Sequence, residues 1–226
     1  MVKIAAASFP QLLLNLMNSL LEHQTFPDVW KTSEVVLIPK PGKPTSCPSS
    51  SRLIFLLDTT SKLLEHLILA ILTREMEEKE VLSTSQYGFR TKRSTMDATN
   101  RILDLVAKAR SKSTRRKRKW CALVTLDVKN AVNTATWETI ITRLKEKNFS
   151  KYLINFISSY LHNRSINIYD TTFKTSAGVS QKSVLGSHLW NIFYDEMFRF
   201  VDDFSFVVIA DCHTKKYSQG IPTKSQ

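Results

Sequence analysis

Trp120-Cys121-Ala122-Leu123-Val124-Thr125-Leu126-Asp127 is an almost wholly apolar run closed by a carboxylate. A continuous run of this length, without alternation, reads as a strand buried on both faces, as in an α/β sheet covered by helices. Alone, Asp127 reads as a turn residue or a helix N-cap. The pattern recurs once: Phe204-Ser205-Phe206-Val207-Val208-Ile209-Ala210 is a second apolar strand, and Asp211 closes it. If the two strands are neighbours, their carboxylates converge at one edge of the sheet. Close carboxylates repel unless cations intervene. Mg²⁺ prefers hard oxygen ligands, and two such ions suit an in-line displacement at phosphorus. Asp202-Asp203 is a rival pair, but it precedes its strand and reads more simply as an exposed turn.

Upstream of the first strand lie Lys108, Arg110, Lys112, Arg115, Arg116, Lys117, Arg118 and Lys119, with no acid among them. They supply most of a formal net charge of +12. Such a run repels itself and cannot be buried unpaired. It reads as a solvated loop, as a nuclear-localisation signal, or as an arm that contacts phosphates and releases counterions. Its position against the edge of a folded core favours the arm.

The chain has 226 residues, of which 42% are hydrophobic, enough to build a core and too many for a wholly disordered segment. Only five residues are glycine, which disfavours a small all-β protein built on tight turns and excludes a GxGxxG or GxxxxGK[ST] phosphate loop. Cys47, Cys121 and Cys212 form no CxxC pair, so a zinc ribbon is unsupported. The sparse, odd count fits a reducing compartment. The stretch from Ile4 to Leu21 superficially resembles a signal peptide, but Pro10, Gln11, Asn15, Asn18 and Ser19 interrupt it. Leu12, Leu13, Leu16, Met17 and Leu20 recur at helical spacing, so residues 10–24 are predicted to form an amphipathic helix, with Ser8 offered as its cap. No other span resembles a transmembrane helix.

Further helices are predicted over 61–79, from Ser94 or Thr95 to 109, over 137–145 and 152–161, and over 184–198. Short strands are predicted at 35–38, 53–57 and 166–169. Helices alternating with a few strands imply an α/β (α+β) layered core.

Leu126-Asp127-Val128-Lys129-Asn130-Ala131, Gly178-Val179-Ser180-Gln181 through Gly186, and Ala210-Asp211-Cys212 resemble motifs A, B and C of reverse transcriptases, and among them those of non-LTR (LINE-like) retrotransposons. Trp30-Lys31 through Ile38-Pro39-Lys40-Pro41-Gly42-Lys43 is similar to the first fingers motif. Arg52 through Leu56-Leu57, with Lys62-Leu63-Leu64-Glu65, resembles the next. Gln86-Tyr87-Gly88-Phe89-Arg90 with Arg93-Ser94-Thr95, and Leu189-Trp190-Asn191-Ile192, complete the series.

The resemblance implies a right-hand polymerase fold: an N-terminal helix over 1–25, fingers over 26–119 with a basic loop at 108–119, a palm over 120–212, and a disordered tail over 213–226. Only 14 residues follow Cys212, so no thumb is expected, and the chain is read as a truncated, degenerate copy. Asp127 and Asp211 would hold two Mg²⁺ ions, with the Val128 carbonyl facing metal. Lys40 and Arg52 would lie in the fingers near the incoming triphosphate or the template, and Gln181 would help line the nucleotide site of the incoming dNTP. Arg115, Arg116, Lys117, Arg118 and Lys119 would meet the RNA template or DNA primer. The implied reaction joins a dNTP to a primer 3′-hydroxyl. The alternatives are a non-catalytic nucleic-acid-binding remnant and an unfolded product. An intracellular, nuclear setting is expected, no membrane is implied, and no feature assigns an oligomeric state.

Several positions depart from the family pattern. Val132 stands where an aromatic ring usually excludes a ribose 2′-hydroxyl, so weaker rejection of ribonucleotides is expected. Ser180 and Ser187 replace prolines of motif B, and Leu53 replaces the proline after the fingers arginine. Lys182 replaces a glycine, bringing a side chain and a restricted φ. Cys212 replaces the second aspartate of motif C, and a neutral thiol is a poor Mg²⁺ ligand.

Overall fold

The computed structural model describes residues 4, 7–42, 50–111, 134–169, 171–180 and 182–196. In chain order these form α1 (Pro10–Glu22), β1 (Thr32–Pro39), β2 (Ser51–Leu56), α2 (Thr59–Glu78), α3 (Thr95–Arg110), α4 (Trp137–Glu146), α5 (Lys151–Leu161), β3 (Ser165–Ile168), β4 (Thr171–Lys174) and α6 (Gly186–Tyr194). The fold is mixed α/β. The strands expected at 120–126 and 204–210 lie outside the described residues.

Helix starts follow local hydrogen bonding. Asp58 caps α2, its Oδ1 accepting the Thr60 and Ser61 N–H groups at 2.7 and 3.1 Å. Ser94 and Asp97 form a reciprocal capping box on α3. The basic run begins inside α3, because Lys108 and Arg110 stand in its last turn, favourably placed against the helix dipole. Pro10 opens α1 as expected, but the capping position belongs to Phe9, and Ser8 makes no cap.

Helix ends use a device that the sequence conceals. The N–H groups of Thr25, Val81 and Phe149 bond back to the carbonyls of Leu20, Met76 and Leu144. The residues just before them, Gln24 (φ 52°), Glu80 (φ 47°) and Asn148 (φ 56°), adopt the left-handed conformation. This is the Schellman arrangement, usually made with glycine.

The four strands form one sheet in the order β2-β1-β3-β4. β1 pairs antiparallel with β2 and parallel with β3, and β3 pairs antiparallel with β4. β4 is a finding of the structure; no sequence signal marks it. The sheet therefore joins strands from both sides of the segment 112–133.

The buried core is helical. Leu64, Ile68 and Leu72 of α2 meet Ile140 and Leu144 of α4, Leu153, Phe156, Ile157 and Leu161 of α5, and Leu189 and Ile192 of α6. Sequence spacing places Leu63, Leu64, Leu67, Ile68, Ile71 and Leu72 on one face of α2; Leu64, Ile68 and Leu72 are buried, and Leu63, Leu67 and Ile71 pack at the margin. On α1 the inward stripe is Leu13, Met17, Leu20 and Leu21, whereas Leu12 and Leu16 face solvent. Of α3, only Ala98 is buried. A seam of polar contacts joins the N-terminal segment to α5 and β3. The Phe26 N–H donates to Ser159 Oγ at 2.9 Å, Tyr152 Oη to the Leu21 carbonyl at 2.8 Å, and Asn167 Nδ2 to Glu34 Oε1 at 2.7 Å. The Thr32 and Ser165 hydroxyls meet at 2.8 Å. Among the described residues, no helix is long and apolar enough to cross a membrane.

Candidate functional site

Asp127, Val128, Val132, Gln181, Asp211, Cys212 and the run Arg115, Arg116, Lys117, Arg118, Lys119 lie outside the described residues. Two of the predicted site residues, Lys40 and Arg52, lie within them, and the structure brings their backbones together. Ile38 sits opposite Arg52 in the β1–β2 ladder, and the Lys40 N–H extends that ladder to the Ser50 carbonyl at 2.7 Å. Positions 40 and 52 are thus diagonal neighbours, a relation that separates backbones by about 7–8 Å.

The loop that resembles motif B is held at both ends. At its start, the Gly178 N–H donates to the Ala135 carbonyl and the Trp137 indole N–H donates to the Gly178 carbonyl, each at 2.8 Å. Thr136 and Ala177 form an isolated antiparallel bridge beside them. The loop therefore rests on residues that follow closely after Asp127 in sequence. At its end, the Ser183 hydroxyl accepts the Gly186 N–H at 2.9 Å. A Cβ on Gly186 would lie 2.5 Å from Ser183 Oγ and 3.1 Å from the Ser180 carbonyl, so only glycine fits. Lys182, expected to resist the glycine conformation it replaces, adopts it nonetheless, at φ 70°. A left-handed backbone costs a non-glycine residue about 1–2 kcal/mol.

The third fastening comes from α2. Glu65 is fully buried, and its Oε2 accepts the N–H groups of Val184 and Leu185 at 2.7 and 3.2 Å. Burial pushes its carboxyl above the usual range, while the Leu185 amide, Arg164 and the Val184 amide pull the other way. Tyr160 lies under the same Arg164, whose guanidinium sits 4.4 Å from the ring centroid. Burial pushes the Tyr160 hydroxyl up to about 12. Sequence reasoning placed Glu65 inside a motif without assigning it a task; its sign was a carboxylate on the buried stripe of an amphipathic helix.

The Gln86–Arg90 motif is docked onto α6. Asn191 Nδ2 donates to the Gly88 carbonyl at 2.8 Å. Asp195 accepts the Ser83 N–H and the Lys147 ammonium, both at 2.7 Å, and Lys147 also donates to the Val81 carbonyl. Arg90 Nη1 donates to the Ser83 carbonyl at 2.7 Å, and Arg93 reaches the Thr84 carbonyl and covers the Tyr87 ring. A cleft of about 270 Å³ opens here between α2 and the loop, lined by Glu77, Glu80, Phe89, Arg90, Arg93 and His188, among others. Burial, and then repulsion from Arg93, holds the Arg90 guanidinium below its ordinary value. Among the described residues, no cluster of His, Cys, Asp or Glu could hold a metal.

Residues 38–216 match the family described as reverse transcriptase (RNA-dependent DNA polymerase). This chain belongs to the reverse transcriptase family. The matched span of this reverse transcriptase domain contains Lys40, Arg52, Asp127, the motif B loop and Asp211. Three Drosophila melanogaster proteins show the kinship. The chain is 34% identical over 181 residues to a probable RNA-directed DNA polymerase from transposon BS, covering 78% of this chain and 19% of that protein. It is 29% identical over 185 residues to a probable RNA-directed DNA polymerase from transposon X-element, covering 80% and 20%. It is 27% identical over 192 residues to the RNA-directed DNA polymerase from mobile element jockey, covering 83% and 20%. The domain is thus related to non-LTR retrotransposon reverse transcriptases, and it spans about a fifth of the length of these curated relatives.

Proposed function

We propose that this domain carries a polymerase site that joins a dNTP to a primer 3′-hydroxyl under the direction of an RNA template. Residues 26–119 serve as fingers and residues from 120 onward as palm. The observation that carries this reading is the family match over 38–216, a span that includes Asp127 and Asp211. The fastening of the motif B loop to Ala135 and Trp137 supports it, because it sets the loop beside the chain leaving motif A. Asp127, Asp211 and the Val128 carbonyl offer the hard oxygen donors that suit Mg²⁺. Two ions held there would acidify the primer hydroxyl and stabilise the departing pyrophosphate. Lys40 and Arg52, neighbours across the β1–β2 ladder, answer to the triphosphate. Gln181 lines the nucleotide site, and Val132 leaves room at the sugar. Arg115 to Lys119 hold template or primer phosphates and also suit a nuclear address.

Primer extension on an RNA template with Mg²⁺ tests the proposal. Weakened extension is expected from the parent chain, because Cys212 replaces a motif C carboxylate, and Asp127→Ala is expected to abolish it while leaving RNA binding intact. One observation favours a second reading: Cys212 stands where a second carboxylate would complete motif C. A chain that binds RNA in a salt-sensitive manner without extending primers is a nucleic-acid-binding remnant.

A further inference from the structure

The start of α6 is held locally by one side-chain bond, from the Gly186 N–H to the Ser183 hydroxyl. Leu185 at the capping position makes no side-chain hydrogen bond, and the first turn holds no acidic residue. Helix starts leave N–H groups that need partners and favour negative charge. A second partner comes from 119 residues away in sequence, where the buried Glu65 of α2 accepts the N–H groups of Val184 and Leu185, just before the helix, through the same Oε2. From within the loop, the Ser183 hydroxyl accepts the Gly186 N–H. The loop from Gly178 to Leu185 is thus tied at one end to the segment after motif A and at the other to a carboxylate inside the helical core.

We propose that Glu65 is the positioning residue of the motif B loop: by holding the Val184 and Leu185 amides from outside the loop, it fixes the end that leads into α6 and so tunes dNTP binding. This rests on the polymerase reading for its consequence, and on the hydrogen bonds alone for its geometry. Both amides use a single oxygen, so glutamine can reproduce both bonds. Methionine fills the same space with no acceptor for the amides, and a bond to a charged acceptor is lost with it.

The test compares Glu65→Met and Glu65→Gln in the full chain by amide hydrogen exchange and by primer extension. In Glu65→Met, the Val184 and Leu185 amides are expected to exchange about tenfold faster or more, with α5 unchanged. Glu65→Gln is expected to restore most of that protection. The dNTP KM is expected to rise about tenfold in Glu65→Met, with kcat within a few fold. Three results overturn the proposal: parent-like exchange in Glu65→Met, protection lost throughout α5 as well, or no restoration by glutamine. An unchanged KM overturns the nucleotide half. A parent chain that extends no primer overturns the polymerase reading, and exchange alone then decides whether Glu65 holds the loop.

Discussion

Gly186 shows how one absent methyl group shapes the motif B loop. Its amide needs the Ser183 hydroxyl at 2.9 Å, and the same hydroxyl occupies the place of a Cβ. Gly186→Ala must push Ser183 aside and lose that bond. The expected cost is about 1–3 kcal/mol, read as a lower denaturant midpoint. Lys182 presents the opposite case. Lys182→Gly removes the left-handed strain but loosens the unfolded chain, so a net gain of about 0.5–1 kcal/mol is expected from the same measurement. Sequence reasoning found the Lys182 substitution because a glycine was missing from a motif. It missed Gln24, Glu80 and Asn148, which adopt the same conformation, because no glycine flags these helix ends.

At the scale of elements, buried carboxylates join helices that the sequence shows only singly. Glu75 near the end of α2 accepts the Ser150 N–H at 2.8 Å, the Ser150 hydroxyl, and the Lys79 ammonium at 2.9 Å. Burial alone would raise its pKa, but the Ser150 and Lys79 contacts outweigh it and hold the carboxyl below 4.5. A folded pKa below the unfolded one gives stability that is complete above the unfolded value and fades as pH falls through the folded one. Urea midpoints are therefore expected to drop on acidification below about pH 4.5, and less steeply in Glu75→Gln. The Ser94 start of α3 and the apolar stripe of α2 were legible because they are local patterns. β4 was not: Thr171-Thr172-Phe173-Lys174 lies exposed along its length and follows Tyr169 at φ 43°, where glycine would have announced a turn. The candidate site was legible as motifs in order, while the fastenings of the motif B loop depend on partners as far away as Glu65 and Trp137.

For the whole molecule, charge and helical packing divide the work. Among the described residues the core is mainly helical, and most of the +12 charge lies in the run from Lys108 to Lys119. If Arg115 to Lys119 contact phosphates, each contributes about 0.7 to the slope of log affinity against log salt on single-stranded RNA. Replacing all five by glutamine is expected to lower that slope by roughly 3 to 4 in filter-binding titrations at several salt concentrations. The seam also fixes an order of events in time. Thr32 waits for Ser165, 133 residues later, before β1 gains its parallel partner. At a synthesis rate of about 5–20 residues per second, that wait is on the order of ten seconds. Throughout it the Thr32–Glu34 stretch of β1 lacks its parallel partner, an open strand in a crowded cell. The newborn chain is therefore most vulnerable to aggregation before its second half has left the ribosome.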